Sequence, residues 1–200
     1  MIESPLSKKL EHYKIILASG SPRRQRFFEE LGINFEIRLK PIEETYPPEL
    51  KAEEISNYLA TLKAVPFKNE LQNNEILITS DTVVWHDGES LAKASSRAEA
   101  MAMLQKLSGN WHDVITSVCF TTAQTQKTLH SLTKVKFKIL HPSEIDFYIE
   151  KCKPYDKAGA YGIQEWLGSI GIEEIKGSYN NVVGLPTHLV YKTLMDMAAN

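Results

Sequence analysis

Eight consecutive residues, Leu17-Ala-Ser-Gly-Ser-Pro-Arg-Arg24, carry the clearest chemical pattern in the chain, one suited to holding an anion. They follow the apolar run Ile15-Ile16-Leu17-Ala18, which predicts a buried strand. They lead into Gln25-Arg26-Phe27-Phe28-Glu29-Glu30-Leu31, where the apolar spacing is helical. Ser21 suits the N-cap, Pro22 the first helical position and Gly32 the C-terminal stop. The octet therefore reads as a strand-to-helix turn, and its small residues Ser19, Gly20 and Ser21 let the backbone approach a ligand. Helix N-terminal N–H groups and the positive dipole end favour an anion there. Arg23 and Arg24 add forked, permanently charged donors that match phosphate oxygens. An ordinary capped helix start with two solvated arginines fits the octet equally well. The octet is neither a Walker loop nor a dinucleotide fingerprint, because it lacks Gly-Lys-Ser/Thr and the three-glycine spacing.

Asp81 is the second candidate, in Thr79-Ser-Asp-Thr-Val-Val84 after the apolar Ile76-Leu77-Ile78. A carboxylate in a buried strand needs a cation, a metal or another partner. The bland alternative is a strand-end Asp that caps a turn. Lys93 either faces the same ligand or is solvated. Two further stretches, Lys153 to Gln164 and Asn180 to Pro186, combine Gly, Tyr and Asn in the manner of shaped loops. The six histidines show no metal-ligand spacing and Gly-x-Ser-x-Gly is absent, so neither a zinc site nor a nucleophile elbow is encoded. A metal here would be a hard ion held by carboxylates and substrate phosphates.

The elements that must position these residues alternate in type. A strand is predicted at 35–39, then a polar connection Pro41 to Pro48, then a helix with Ile55, Tyr58, Leu59 and Leu62 on its apolar positions, ending at Pro66. Residues 76–85 predict a strand buried on both faces, with Asp87-Gly88 as a hairpin turn. Ser96-Arg-Ala-Glu99 is a capping box opening a helix that runs through Leu107 and closes at Gly109. Strands are expected at 114–122 and 132–140, and helices at 143–152 and 189–198. Lys134, Lys136 and Lys138 alternate with apolar residues, as on the wet face of a sheet or a protected edge strand. The order predicts a mixed α/β fold with helices packed on a twisted sheet.

Bulk properties narrow the classes. Two hundred residues, 42% hydrophobic and 24% charged, describe an ordinary globular chain of one domain, or of one domain with two lobes. A net charge of −2 argues against an extended nucleic-acid surface. Cys119 and Cys152 read as buried free thiols of a reducing compartment. Neither a leader-like stretch nor a membrane-length apolar run is visible, so a cytoplasmic protein is expected, with no membrane partner. Residues 1–13 read as a loosely ordered extension.

Six segments in order resemble the Maf family of nucleoside triphosphate pyrophosphatases. They are the octet, Leu59-Ala-Thr-Leu-Lys-Ala64, Ser80-Asp-Thr-Val-Val84, Leu104-Gln-Lys-Leu-Ser-Gly109 with His112, Pro154-Tyr-Asp-Lys-Ala-Gly-Ala-Tyr-Gly-Ile-Gln164 and Gly177-Ser-Tyr-Asn-Asn-Val-Val-Gly-Leu-Pro186. The resemblance implies a fold like that of the inosine triphosphate pyrophosphatases, with two lobes around a cleft, often as a homodimer. It implies hydrolysis of a nucleoside triphosphate to monophosphate and pyrophosphate with Mg2+ or Mn2+. Asp81 corresponds to the proton acceptor, and Ser19, Arg23, Arg24, Lys63 and Lys93 to the phosphate-binding set. Glu43 or Glu44 corresponds to an acid that, with Asp81, would serve the metal. Arg23, Thr82 and Gln164 match the dTTP/UTP-preferring branch. The alternatives are the branch that prefers 7-methyl-GTP and a non-catalytic nucleotide-binding regulator of cell division. The family usually has Lys-Pro where this chain has Lys93-Ala94, which loosens the placement expected of Lys93.

Overall fold

The structure, a computed structural model, describes residues 4–199. In chain order the elements begin with α1 (Pro5–Lys9), β1 (Lys14–Leu17), α2 (Pro22–Glu30), β2 (Phe35–Ile37) and α3 (Glu53–Leu62). A 3-10 turn at Val65–Phe67 precedes β3 (Glu75–His86), β4 (Glu89–Ser90), α4 (Arg97–Leu107), β5 (Trp111–Thr121) and β6 (Gln126–Phe137). Then come α5 (Pro142–Cys152), α6 (Trp166–Gly171), β7 (Ile172–Lys176), α7 (Tyr179–Val183) and α8 (Thr187–Met197). Among the described residues the sheet has seven strands in the order β2-β1-β3-β5-β6-β7, with β4 paired to β3. It is mixed: β1 runs parallel to β2 and β3, whereas β3/β4 and β6/β7 are antiparallel. This is the mixed α/β architecture that the alternation of periods predicts. No helix among the described residues is long and apolar enough to cross a membrane.

The chain divides into two compact units. One comprises the chain up to Asp81, Thr116–Ser131 and the chain from Gly184 on. The other comprises Thr82–Ile115 and Leu132–Val183. In the first unit, Ile16, Ala60, Ala64, Phe67, Leu77 and Cys119 form a core between the parallel strands and α3. In the second, α4 and α5 pack Ala100, Leu104, Leu107, Ile145, Tyr148 and Ile149 into one cluster with Val114, Val135 and Phe137 of the sheet.

Several local expectations are corrected. Residues 4–13, expected as loosely ordered, contain α1, whose Ser4 side chain caps it and whose Leu6 is fully buried; residues 1–3 lie outside the described residues. Strand β6 begins at Gln126 and is flanked by β5 and β7, so its lysines do not protect an edge. They pair with acids instead: Lys134 with Asp113, Lys136 with Glu173 and Lys138 with Glu144. The Ser96 hydroxyl accepts from the Glu99 N–H, but the Glu99 carboxylate turns to Ser95, so the capping box is half formed. A full one opens α5, with His141 and Glu144 as its members. The Asp87-Gly88 turn holds, with φ of 48° and 81° at its two residues. Cys119 is buried, whereas Cys152 is only half-buried, and both are free thiols.

Candidate active site

The octet is the strand-to-helix turn that the sequence predicts: β1 ends at Leu17 and α2 starts at Pro22. Ser21 occupies the N-cap position, but its side chain makes no capping bond. The buried Ser19 does the local work, its hydroxyl accepting from the Ser21 N–H at 3.3 Å and its carbonyl accepting from the Gln25 amide at 3.1 Å. Parallel pairing of Leu17 with Ile78 sets this turn beside residues 79–81 of β3. The Ala18 N–H donates to the Ile78 carbonyl at 3.0 Å and prolongs that pairing by one step.

Arg24 crosses this seam. Its Nε donates to the Gly184 carbonyl at 2.9 Å and its Nη1 to the Ser80 carbonyl at 3.0 Å. Burial pulls its pKa down from the ordinary arginine value, opposed chiefly by the Asp81 charge. The guanidinium is therefore a brace for the turn and a fixed positive charge facing Asp81. Arg23, one residue earlier, is half-buried.

Helix α3 supplies the next charge. Thr79 and Asp81, two apart on β3, share one face, and the Thr79 hydroxyl donates to the Ala60 carbonyl of α3 at 2.6 Å. Three residues beyond Ala60, where a helix brings the same face round again, stands Lys63. Its Nζ lies 2.7 Å from Asp81 Oδ1 and 2.9 Å from Glu44 Oε2. Lys63 is the C-cap of α3, where the helix dipole favours a cation. Burial raises the Asp81 pKa, and the Lys63 and Arg24 charges oppose that rise. The result is a nearly buried carboxylate with two cations turned to it, a group fit to accept a proton or hold a metal.

The sequence left Glu43 and Glu44 open; both are exposed, and it is Glu44 that reaches Lys63. Among the described residues no three His, Cys, Asp or Glu side chains gather as a metal site. Asp81 and Glu44 both turn a carboxylate oxygen to one point, the place where Lys63 Nζ stands. Two hard oxygen donors suit Mg2+ or Mn2+, which take few protein ligands and complete their shell with water and phosphate.

The remaining candidates belong to the second unit. Thr82 follows Asp81 on β3 and so points to the opposite face. Lys93 is exposed, and its backbone forms an antiparallel bridge with Ala158, which places it without the missing proline. Gln164 is exposed on a tight turn, with Tyr161, Gly162 and Ile163 before it all buried. Sequence reasoning missed the two carbonyls that hold Arg24, although Gly184 lay in a loop already singled out by its composition.

The chain matches the family model described as Maf-like protein over residues 14–197. It is 58% identical over 189 residues to a protein of Flavobacterium johnsoniae named dTTP/UTP pyrophosphatase, covering 94% of this chain and 97% of the relative. A protein of Christiangramia forsetii with the same name is 53% identical over 192 residues, covering 96% and 98%. Among solved structures, the Ham1 protein of Staphylococcus aureus superposes with a TM-score of 0.51 at 17% identity, covering 92% of this chain and 99% of that one. That likeness is one of fold.

Proposed function

Because the chain belongs to the Maf family, we propose that it hydrolyses dTTP and UTP, modified pyrimidine nucleotides included, to the monophosphate and pyrophosphate. The observation that carries this reading is the buried Asp81 carboxylate, with Lys63 Nζ at 2.7 Å and the braced Arg24 turned to it. A structural ion pair would need one cation; two cations and a second carboxylate fit a site that must handle a highly charged substrate and a water. Relatives above 50% identity that are named for this activity support it.

Cleaving an α–β phosphoanhydride requires neutralising phosphate charge and orienting a water in line with the leaving pyrophosphate. Ser19, Arg23, Arg24, Lys63 and Lys93 supply hydrogen bonds and positive charge to the phosphates. Asp81 takes the proton of the attacking water, and its raised proton affinity makes it a better base than a solvated Asp. A bound divalent cation, held by Asp81 and Glu44, would add Lewis-acid stabilisation of phosphate oxygens. Arg23, Thr82 and Gln164 carry the preference for the base. A neutral Gln amide both donates and accepts, as the carbonyl–NH–carbonyl edge of thymine and uracil requires. One 5-methyl group changes apolar burial by only about 1–3 kcal/mol, so dTTP and UTP are weakly distinguished. Nucleotide substrates and free thiols both suit the cytoplasm.

The test is pyrophosphate release from dTTP, UTP, CTP and 7-methyl-GTP with Mg2+ or Mn2+, for the wild type and Asp81→Asn. The expected result is preference for dTTP and UTP, and near-complete loss of turnover in Asp81→Asn with triphosphate binding retained. Release from none of them would leave a nucleotide-binding regulator, and a winning 7-methyl-GTP or CTP would overturn the base preference alone.

A further inference from the structure

Gln164 sits at the third position of a four-residue turn closed by the Glu165 N–H donating to the Gly162 carbonyl at 3.0 Å. Both ends of that turn meet the same phenol. The Gly162 N–H donates to the Tyr148 hydroxyl at 3.0 Å, and that hydroxyl in turn donates to Glu165 Oε2. Tyr148 is fully buried on α5, and burial together with the Glu165 carboxylate pushes its pKa up, so the hydroxyl keeps the proton it donates.

Glu165 stands at the N-cap position of α6 but caps nothing with its side chain. Its carboxylate is spent on Tyr148 and on Lys157 Nζ, which lies 2.9 Å from Oε1. The packing leaves no slack. A Cβ on Gly162 would stand 2.9 Å from Glu165 Cδ and 3.1 Å from Lys157 Cε. A Cβ on Gly168 would stand 1.7 Å from the Ile163 carbonyl oxygen. Buried Tyr161, with its hydroxyl 2.7 Å from His112 Nε2, anchors the approach to the turn. An exposed amide is thus carried on a backbone fastened at each end, which is how a polar group is held ready for recognition rather than left to swing.

We propose that Tyr148 is a positioning residue for base discrimination: its hydroxyl clamps the two ends of the turn that carries Gln164 and so aims the Gln164 amide. This rests on the pyrimidine-nucleotide reading above and adds a residue to it. The clamp acts on recognition of the base, which is made alike in ground and transition states, so its loss should appear in KM rather than kcat.

The experiment measures kcat and KM for UTP and CTP in the wild type, Tyr148→Phe, Glu165→Ala, Gln164→Ala and the Tyr148→Phe/Gln164→Ala double variant. Tyr148→Phe should lower kcat/KM for UTP about tenfold through KM, below the roughly hundredfold that a 1 Å misplacement costs. CTP should be nearly unaffected. Glu165→Ala, which loosens the same clamp from outside the core, should do likewise. In the Gln164→Ala background, Tyr148→Phe should add nothing. Equal losses for UTP and CTP, or a fall in kcat alone, would assign Tyr148 a merely structural role and overturn the proposal. So would a Tyr148→Phe effect undiminished in the Gln164→Ala background, which leaves Gln164 standing as the base reader. A Gln164→Ala variant that keeps the wild-type preference overturns both assignments, and a wild type inactive on UTP overturns the function beneath them.

Discussion

His112 is buried, and its ring lies edge-on to both Phe137 and Tyr161, with centroids 5.1 and 5.4 Å away. Its Nε2 meets the Tyr161 hydroxyl, while its Nδ1 is buried without a partner. Burial holds its pKa down at about 3, so the folded protein keeps this imidazole neutral. The unfolded chain, with an ordinary His pKa of about 6.5, binds the proton far more readily. The stability tied to a neutral His112 is therefore complete above about pH 6.5 and is lost as pH falls from there towards 3. In that window His112 contributes a slope of up to about 1.4 kcal/mol per pH unit. In His112→Gln, which puts a polar amide that cannot titrate at the site, denaturant midpoints measured from pH 7 to 4 should fall less steeply than in the wild type, whatever the variant's stability at pH 7. At this scale the sequence was partly legible. The need of Asp81 for a cation followed from its apolar neighbours, but the choice of Glu44 over Glu43 did not, because neighbours in an irregular segment carry no period to tell their sides apart. Likewise, Arg24 looked like a phosphate ligand alone; its hold on the Gly184 and Ser80 carbonyls depends on chain segments 160 and 56 residues away.

At the scale of elements, long and strongly periodic segments were readable, as the positions of β3, α3, α4 and α5 show. The stretch from Trp166 to Val183 was not. It packs a six-residue helix, a five-residue strand and a five-residue helix into one run, each too short to display a period. Their order is imposed by tertiary contact. Gly168 shows this: it lies in α6 against the Ile163 carbonyl, and only the absence of a side chain allows that approach. Gly168→Ala should destabilise the fold by about 3 kcal/mol or more, the upper end of the cost of overpacking, because the atom it meets is backbone and cannot rotate away. Chemical denaturation would show the lowered midpoint. A change below 1 kcal/mol would mean that α6 can shift as a body.

For the whole molecule, the chain passes between its two units after Asp81, Ile115, Ser131 and Val183, so each unit is assembled from separated segments and β3, β5 and β6 serve both. Periodicity reports which face of an element is apolar, not which distant segment covers it, so the bounds of the two units could not be read from it; two lobes were expected from the family resemblance alone. Neither unit is a continuous stretch of chain. Lys63 bears on how the chain folds. With its ammonium between Asp81 and Glu44, the charges of both acids are offset by a residue of the chain itself. Folding is therefore expected not to wait for a metal, unlike that of small metal-dependent domains that stay unfolded until loaded. A chelator added in excess to the nucleotide-free protein should leave Tm unchanged within error, whereas a drop of several degrees would make metal part of the fold. The lysine proposed to meet the phosphates is thus also the residue that keeps two neighbouring acids from repelling each other.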